Sequence, residues 1–288
     1  MRSATRPLAA CASLPRQQWL LPCFIGLLIS LQATVAIADE ARATMLSPPV
    51  LGAHTLATQP DGEGVSPLVT PTLHTQESGS SLLILVAGYK NNSAAPTDSY
   101  GNQWKQVGES VVYNGYDGRF DARAYIAIGS RGGANHTVQI AKEGTPEGEI
   151  TVPFIEIAHA GKLQDVAQNY PTPGIAARAT NKLARAWQGI TGSTDSTTSM
   201  LTSGTVTTTG PATLVAVWLG DAYVYSMTAV PGDGFKVIDS YLMLPPSSAV
   251  QGAVAVKQVN AAGTYSVTWT GTPAQGAILW LFAFQAAP

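Results

Sequence analysis

The chain has 288 residues and a formal net charge of −2, with 12% of its residues charged and 45% hydrophobic. So neutral a balance offers no basic surface for nucleic acid, and a chain this long can bury a large core without covalent staples. Both cysteines, Cys11 and Cys23, lie in the first 38 residues, so the rest of the chain has no disulfide, thiol nucleophile or cysteine metal site.

Residues 1–38 read as a secretory signal. Arg2, Arg6 and Arg16 give a positive start without a single acid, an apolar run extends from Trp19 to Leu31, and Ala36-Ile37-Ala38 supplies a small-residue cleavage site before Asp39. An uncleaved anchor is the competing reading, but Pro22, Gln32 and Thr34 interrupt the run. Cleavage leaves 250 residues (288 less 38), with 13 cations (16 less the three arginines) against 18 anions. The expectation is a protein exported to the periplasm or beyond, with no membrane span and no nucleic-acid partner.

Residues 39–66 are rich in Pro and Gly and aperiodic, which predicts a linker or loosely ordered arm before a domain over 67–288. Strand signals then recur: Ser81–Tyr89, Trp104–Tyr113, Asp121–Gly129, His136–Lys142 and Glu149–His159. After a gap the style returns at Met200–Thr209, Thr213–Leu219, Phe235–Met243, Val250–Asn260, Thr264–Thr270 and Ala277–Gln285. In the gap, Ile175, Ala179, Leu183, Ala186 and Trp187 share one helical face and Arg178, Lys182 and Arg185 another. Pro173 and Gly189 punctuate it, so a short helix is expected inside an insertion spanning about 162–192. Its three cations suit a solvated face, or a rim for an anionic ligand.

The two runs of strands resemble each other. The strings from Ser80, Asn135 and Gly144 match those from Pro211, Thr264 and Gly271, in the same order and about 130 residues apart. This aligns Leu83 with Leu214 and Glu156 with Phe284. The predicted fold is all-β: a two-layer jelly-roll-like sandwich built from two related halves, with one inserted helix.

Four further strings carry a family resemblance: TDSYGNQW (97–104), FIEIAHAG (154–161), TVTTTGPATLVA (205–216) and AAGTYSVTW (261–269). Together they resemble a loose group of secreted bacterial jelly-roll domains, similar to concanavalin-like modules, that have no settled activity. The resemblance spans roughly residues 78–286 and implies fold more than function. The insertion departs from it.

Several residues could carry chemistry. Glu156 puts a carboxylate in a strand that is apolar on both faces, where it must be paired or functional. As a catalytic acid it would need a second carboxylate such as Asp221. Glu147 and Glu149 flank a turn and read as solvated. His54, His74, His136 and His159 are scattered, with no metal-ligand spacing, so no transition-metal site is expected. Loop oxygens at Asp98, Asn102, Asp117, Asp121 and Asp233 could hold a structural calcium, although turn chemistry accounts for them equally. There is no G-x-S-x-G elbow and no acid signature of the jelly-roll glucanases. In WLGDAYVY, Trp218, Asp221, Tyr223 and Tyr225 combine flat rings with an acceptor, as a sugar-binding surface requires. Core packing is the alternative for Trp218.

The leading expectation is a non-catalytic binding or cell-surface module, with a polysaccharide or other glycan as ligand and no cofactor. A polysaccharide-degrading enzyme using Glu156 and a structural envelope protein are the alternatives.

Overall fold

The computed structural model describes residues 48–59, 66–89, 94–114, 116, 118–142, 149–171, 197–221, 227–243 and 250–286. Its first half contains β1 (Val50–Gln59), β2 (Leu68–Val69), β3 (Ser78–Tyr89), β4 (Thr97–Asp98), β5 (Lys105–Val112), β6 (Phe120–Arg131), β7 (Val138–Ile140) and β8 (Ile150–Ala158). The second half follows with β9 (Lys162–Asn169), β10 (Ser199–Thr202), β11 (Val206–Thr208), β12 (Ala212–Gly220) and β13 (Thr228–Pro231). It closes with β14 (Lys236–Tyr241), β15 (Gly252–Val259), β16 (Gly263–Tyr265), β17 (Thr268–Thr272) and β18 (Ala277–Gln285). Every recorded pairing is antiparallel.

The halves share one plan. A five-stranded sheet runs β1-β8-β3-β6-β5 in the first and β9-β18-β12-β15-β14 in the second, and a three-stranded sheet runs β2-β7-β4 and β10-β17-β13. The bridge between Leu73 and His136 stands where β11 pairs with β16. Even a side-chain detail repeats. Thr70 N donates to Val138 O while its hydroxyl accepts from Val138 N, and Ser203 does the same with Val267.

The number of layers differs from expectation. Leu83, Leu85, Ala124 and Ile155 meet Val215, Val217, Trp280 and Phe282, so the two large sheets pack against each other. Their outer faces are also covered. Ile84, Val86 and Phe154 lie against Leu68, Val138 and Ile140 of the first small sheet, and Leu214, Ala216 and Trp218 against Leu201, Ala229 and Trp269 of the second. The sandwich therefore has four layers rather than two. A strand apolar on both sides needs cover on both, and β3, β8, β12 and β18 are such strands. β1 lies against β14 and β5 against β9, the reciprocal contacts of an approximate two-fold axis between the halves.

Two expected boundaries move. Residues 50–59, within the predicted linker, form β1 and pair with β8. Lys162–Asn169, the start of the predicted insertion, is strand β9, paired with β18. Both are half-buried edge strands: Gly52 and His54 interrupt the apolar pattern of β1, and β9 offers only Leu163, Val166 and Ala167. The predicted helix over 173–189 lies outside the described residues. Among the described residues no helix is long and apolar enough to cross a membrane.

Candidate functional site

Glu156 sits opposite Leu82 of β3 and is 2% exposed. Its Oε1 accepts from Gln76 N at 2.8 Å and Ser80 Oγ at 2.6 Å, and its Oε2 accepts from Ala53 N at 3.1 Å. Gly52 makes room for it, because a Cβ there would lie 2.5 Å from Oε2. Three donors hold this carboxylate in the protein interior. It joins β8 to the bulge of β1 and to the segment entering β3.

A second buried cluster was missed in the sequence. His136 and Thr75 are 0% and 1% exposed, with Nδ1 2.8 Å from Thr75 Oγ1, and His136 Nε2 lies 3.5 Å from Asp98 Oδ1. Thr75 Oγ1 already accepts from Gly133 N. A carboxylate can only accept, so a ring proton on Nε2 facing Asp98 would leave Nδ1 to accept from the Thr75 hydroxyl. This is the hydroxyl–imidazole–carboxylate order of a nucleophilic triad, but the hydroxyl is sealed from solvent. Burial pushes the Asp98 carboxyl up, yet hydrogen bonds from His136, Trp104 Nε1 and the backbone N–H groups of Tyr100 and Asn102 outweigh it and hold the pKa at about 2. The cluster clamps the TDSYGNQW loop onto the sandwich.

The oxygens considered for calcium are engaged in the same way. Asp98 takes the donors just named, Asn102 binds Asp98 and Arg131, and Asp121 accepts from Ser110 Oγ and Arg123 Nη2. Asp233 Oδ2 accepts from Thr268 N, and Asp117 lies outside the described residues. These positions are spread over separate turns. Among the described residues no three His, Cys, Asp or Glu gather in a metal-sized group.

Asp221 has a different setting. It follows β12 directly, and its N–H donates to Gly276 O. Tyr170 Oη donates to Asp221 Oδ2 at 3.0 Å while accepting from Asn114 N at 3.0 Å, and Tyr116 Oη donates to Asp221 O at 3.1 Å. Tyr113 stands edge-on to Tyr116 with centroids 6.4 Å apart. Phe120 packs on Tyr116 at 5.3 Å and on Tyr89 at 4.2 Å. The group gathers the end of β3 and the β5–β6 turn from one half, and the ends of β9 and β12 from the other. Tyr113 is 4% exposed and its hydroxyl has no hydrogen-bond partner among the described residues. Burial first, and then the neighbouring tyrosines and acids, push the Tyr113 hydroxyl well up; burial and Asp221 do the same to Tyr170.

Of the four residues expected at a sugar surface, the structure places Asp221 here. Trp218 is 1% exposed and packs inside the second half, so it offers no stacking face; its alternation with Leu214 and Ala216 fixes that side. Tyr223 and Tyr225 lie outside the described residues. Tyr113, Tyr116 and Tyr170 were not foreseen, because Tyr113 read as the end of a strand, Tyr116 sits in a stretch that reads as a turn, and Tyr170 fell in the expected insertion.

No protein-family model, curated protein or solved structure matches this chain.

Glu156 and the tyrosines around Asp221 lie on opposite faces of the first large sheet. Glu156 faces the outer side of its sheet beside Leu82, whereas Tyr89 of the Asp221 cluster packs on the inner side seven residues further along β3, about 23 Å away. Paired carboxylates for glycoside hydrolysis stand within about 10 Å of each other.

Proposed function

We propose that the protein is an exported, non-catalytic binding module that takes a carbohydrate at the Asp221 cluster. The observation that carries this reading is a half-buried aspartate, Asp221, whose carboxylate accepts from Tyr170 and whose backbone carbonyl accepts from Tyr116, where the two halves meet. Rings and an acceptor together suit a ligand with apolar faces and many hydroxyls. The excess of anions over cations in residues 39–288 (18 against 13) fits an uncharged glycan better than a polyanion, and Glu156 is already held by three donors.

The strand orders also support a finer reading of the fold. The arrangement β1-β8-β3-β6 over β2-β7-β4 is that of a jelly roll whose fifth strand, β5, has joined the larger sheet, and β9–β18 repeat it. On this reading the chain is two jelly rolls in tandem, sharing the interface between their larger sheets.

A glycan array probed with residues 39–288, followed by titration of any hit against Asp221→Asn and Tyr170→Phe, tests the functional reading. Binding that weakens at least tenfold in both variants supports it. No binding to any glycan, or binding unchanged in both, rejects it.

A further inference from the structure

The outer face of the second small sheet is built from threonines and two exposed apolar side chains. Thr268, Thr270 and Thr272 alternate along β17 with the buried Trp269 and Gly271. Met200 and Val230 flank Thr270 from β10 and β13, Thr202 stands beside Thr268, and Thr228 beside Thr272. Met200 is 72% and Val230 56% exposed. The ladder of β11 and β16 adds Thr207 opposite Thr264, both exposed. No charged residue occurs in 197–209, 227–231 or 263–275.

Such a face is a rigid grid. Threonine is stiff at χ1, and on antiparallel strands its side chains repeat at about 6.8 Å along a strand and about 4.8 Å across strands. Trp269, fully buried beneath the central strand, backs the grid, and Thr202 Oγ1 lies 3.0 Å from Thr268 Oγ1, tying one cross-strand hydroxyl pair. Each threonine offers one hydroxyl and one methyl, so the face is an array of anchored hydrogen-bonding groups separated by small apolar patches.

The occupant must match that pattern. A polyion finds no charge within the three strands, the nearest being the Asp233 carboxylate at the Thr268 end. A glycan chain docks on exposed rings, and the ring at the centre of this sheet, Trp269, is buried. A second copy of the chain would gain little, because three strands of about five residues cover roughly 250 Å², far below the about 800 Å² per partner of a stable pair. A neutral, periodic solid made only of hydrogen-bonding groups does match. The two repeats lie close to the in-plane oxygen repeats of a prism face of hexagonal ice, and a small area on each molecule suffices when the bound surface is extended.

We propose that the outer face of the β10–β17–β13 sheet binds the surface of ice, with Thr268, Thr270 and Thr272 as the contact row. The test is partition of the purified mature protein into a slowly growing ice hemisphere, together with recrystallisation in a thin frozen film. The expected result is retention in ice at several times the level of a similar-sized control protein, with crystal growth slowed. Thr270→Lys should reduce retention to the control level with an unchanged melting temperature, whereas Thr270→Ser, which keeps the hydroxyl, should retain part of it. Exclusion of the native protein from ice overturns the proposal. So does a Thr270→Lys variant that is retained as well as the native protein. Native protein that is excluded from ice but sediments with microcrystalline cellulose, or that forms dimers lost in Thr270→Lys, reassigns the face to a glycan or to self-association. Loss of ice retention leaves the glycan reading of the Asp221 cluster untouched, because Thr270 is not part of that cluster.

Discussion

Glu156 and Gln285 hold the same place in the two halves. Each Oε1 accepts one backbone N–H and one hydroxyl from the segment leading into the central strand: Gln76 and Ser80 for Glu156, the N–H and Oγ1 of Thr209 for Gln285. What differs is the group facing the other terminal atom. Glu156 Oε2 meets a donor, Ala53 N, whereas Gln285 Nε2 points at an acceptor, Pro211 O, 3.5 Å away. A carboxylate suits the first setting and a carboxamide the second.

Exchanging the two side chains should therefore harm both halves. In Glu156→Gln the amide nitrogen faces Ala53 N–H, and in Gln285→Glu a carboxylate oxygen faces the Pro211 carbonyl. Each change leaves a buried group unsatisfied and should cost about 1–3 kcal/mol, seen as a fall of several degrees in melting temperature. Binding by the folded fraction should be unchanged in both. A Glu156→Gln protein that melts like the native one would mean that Ala53 is not held by this carboxylate.

The paired hydroxyls of Thr70 and Ser203 offer a test of the repeat itself. Each closes the same two-bond exchange with its partner, Val138 or Val267. Thr70→Val and Ser203→Ala should each destabilise by about 1 kcal/mol. The residues lie in different small sheets, so the double variant should lose the sum within about 0.5 kcal/mol. Denaturant midpoints at constant slope would measure it, and a large non-additive term would contradict independent equivalent sites.

The repeat was legible from sequence, but its register was not. Leu83 and Leu214 do fall in corresponding strands, β3 and β12, yet they face opposite ways: Leu83 into the core between the large sheets, Leu214 into the core of its own half. Glu156 was likewise matched to Phe284, one residue short of Gln285. A slip of one residue exchanges the two faces of a strand. Bulges around Ser78–Leu82, in β1 and in β9–β18 make the spacing between equivalent residues change along the chain, so a constant offset cannot hold. The long apolar strands were found for the same reason that their faces were not: β3, β8, β12 and β18 are buried on both sides, and alternation carries no signal there. Of the candidate site, Asp221 was legible as an acid leaving a core strand. Its tyrosines come from distant segments, and only the packing of the two halves brings them together.

Asp98 should give the protein a specific sensitivity to acid. Its carboxyl titrates at about 2 in the folded state and near 3.9 unfolded, so the folded state favours the ionised form. That contribution is complete above the unfolded value and is lost as the pH falls through the folded one. Asp98→Asn should be less stable than the native protein at pH 7, and the gap should narrow steadily between about pH 4 and 2. Parallel melts across that window would show it. A gap that stays constant down to pH 2 would show that the loss came from geometry and not from charge.

At the other end of the scale, the Asp221 cluster should make the fold sensitive to alkali. Burial and then the Asp221 carboxylate raise the Tyr170 pKa, and burial raises that of Tyr113, relative to an unfolded value near 10. Folded tyrosines then bind protons more tightly than unfolded ones, so stability is complete below about pH 10 and declines as the pH rises beyond it. Asp221→Asn removes the negative charge beside Tyr170 while keeping an oxygen to accept its hydroxyl. Tyr170 should ionise at lower pH in that variant, and one fewer tyrosine should resist titration when absorbance near 295 nm is followed on the folded protein. Tyr170→Phe should delete the same step entirely. Each variant also bears on the binding reading, because the groups that hold the phenols neutral are those proposed to meet the ligand. A native protein whose tyrosines all titrate together near pH 10 would show that solvent reaches the cluster freely and that Asp221 does not set its chemistry.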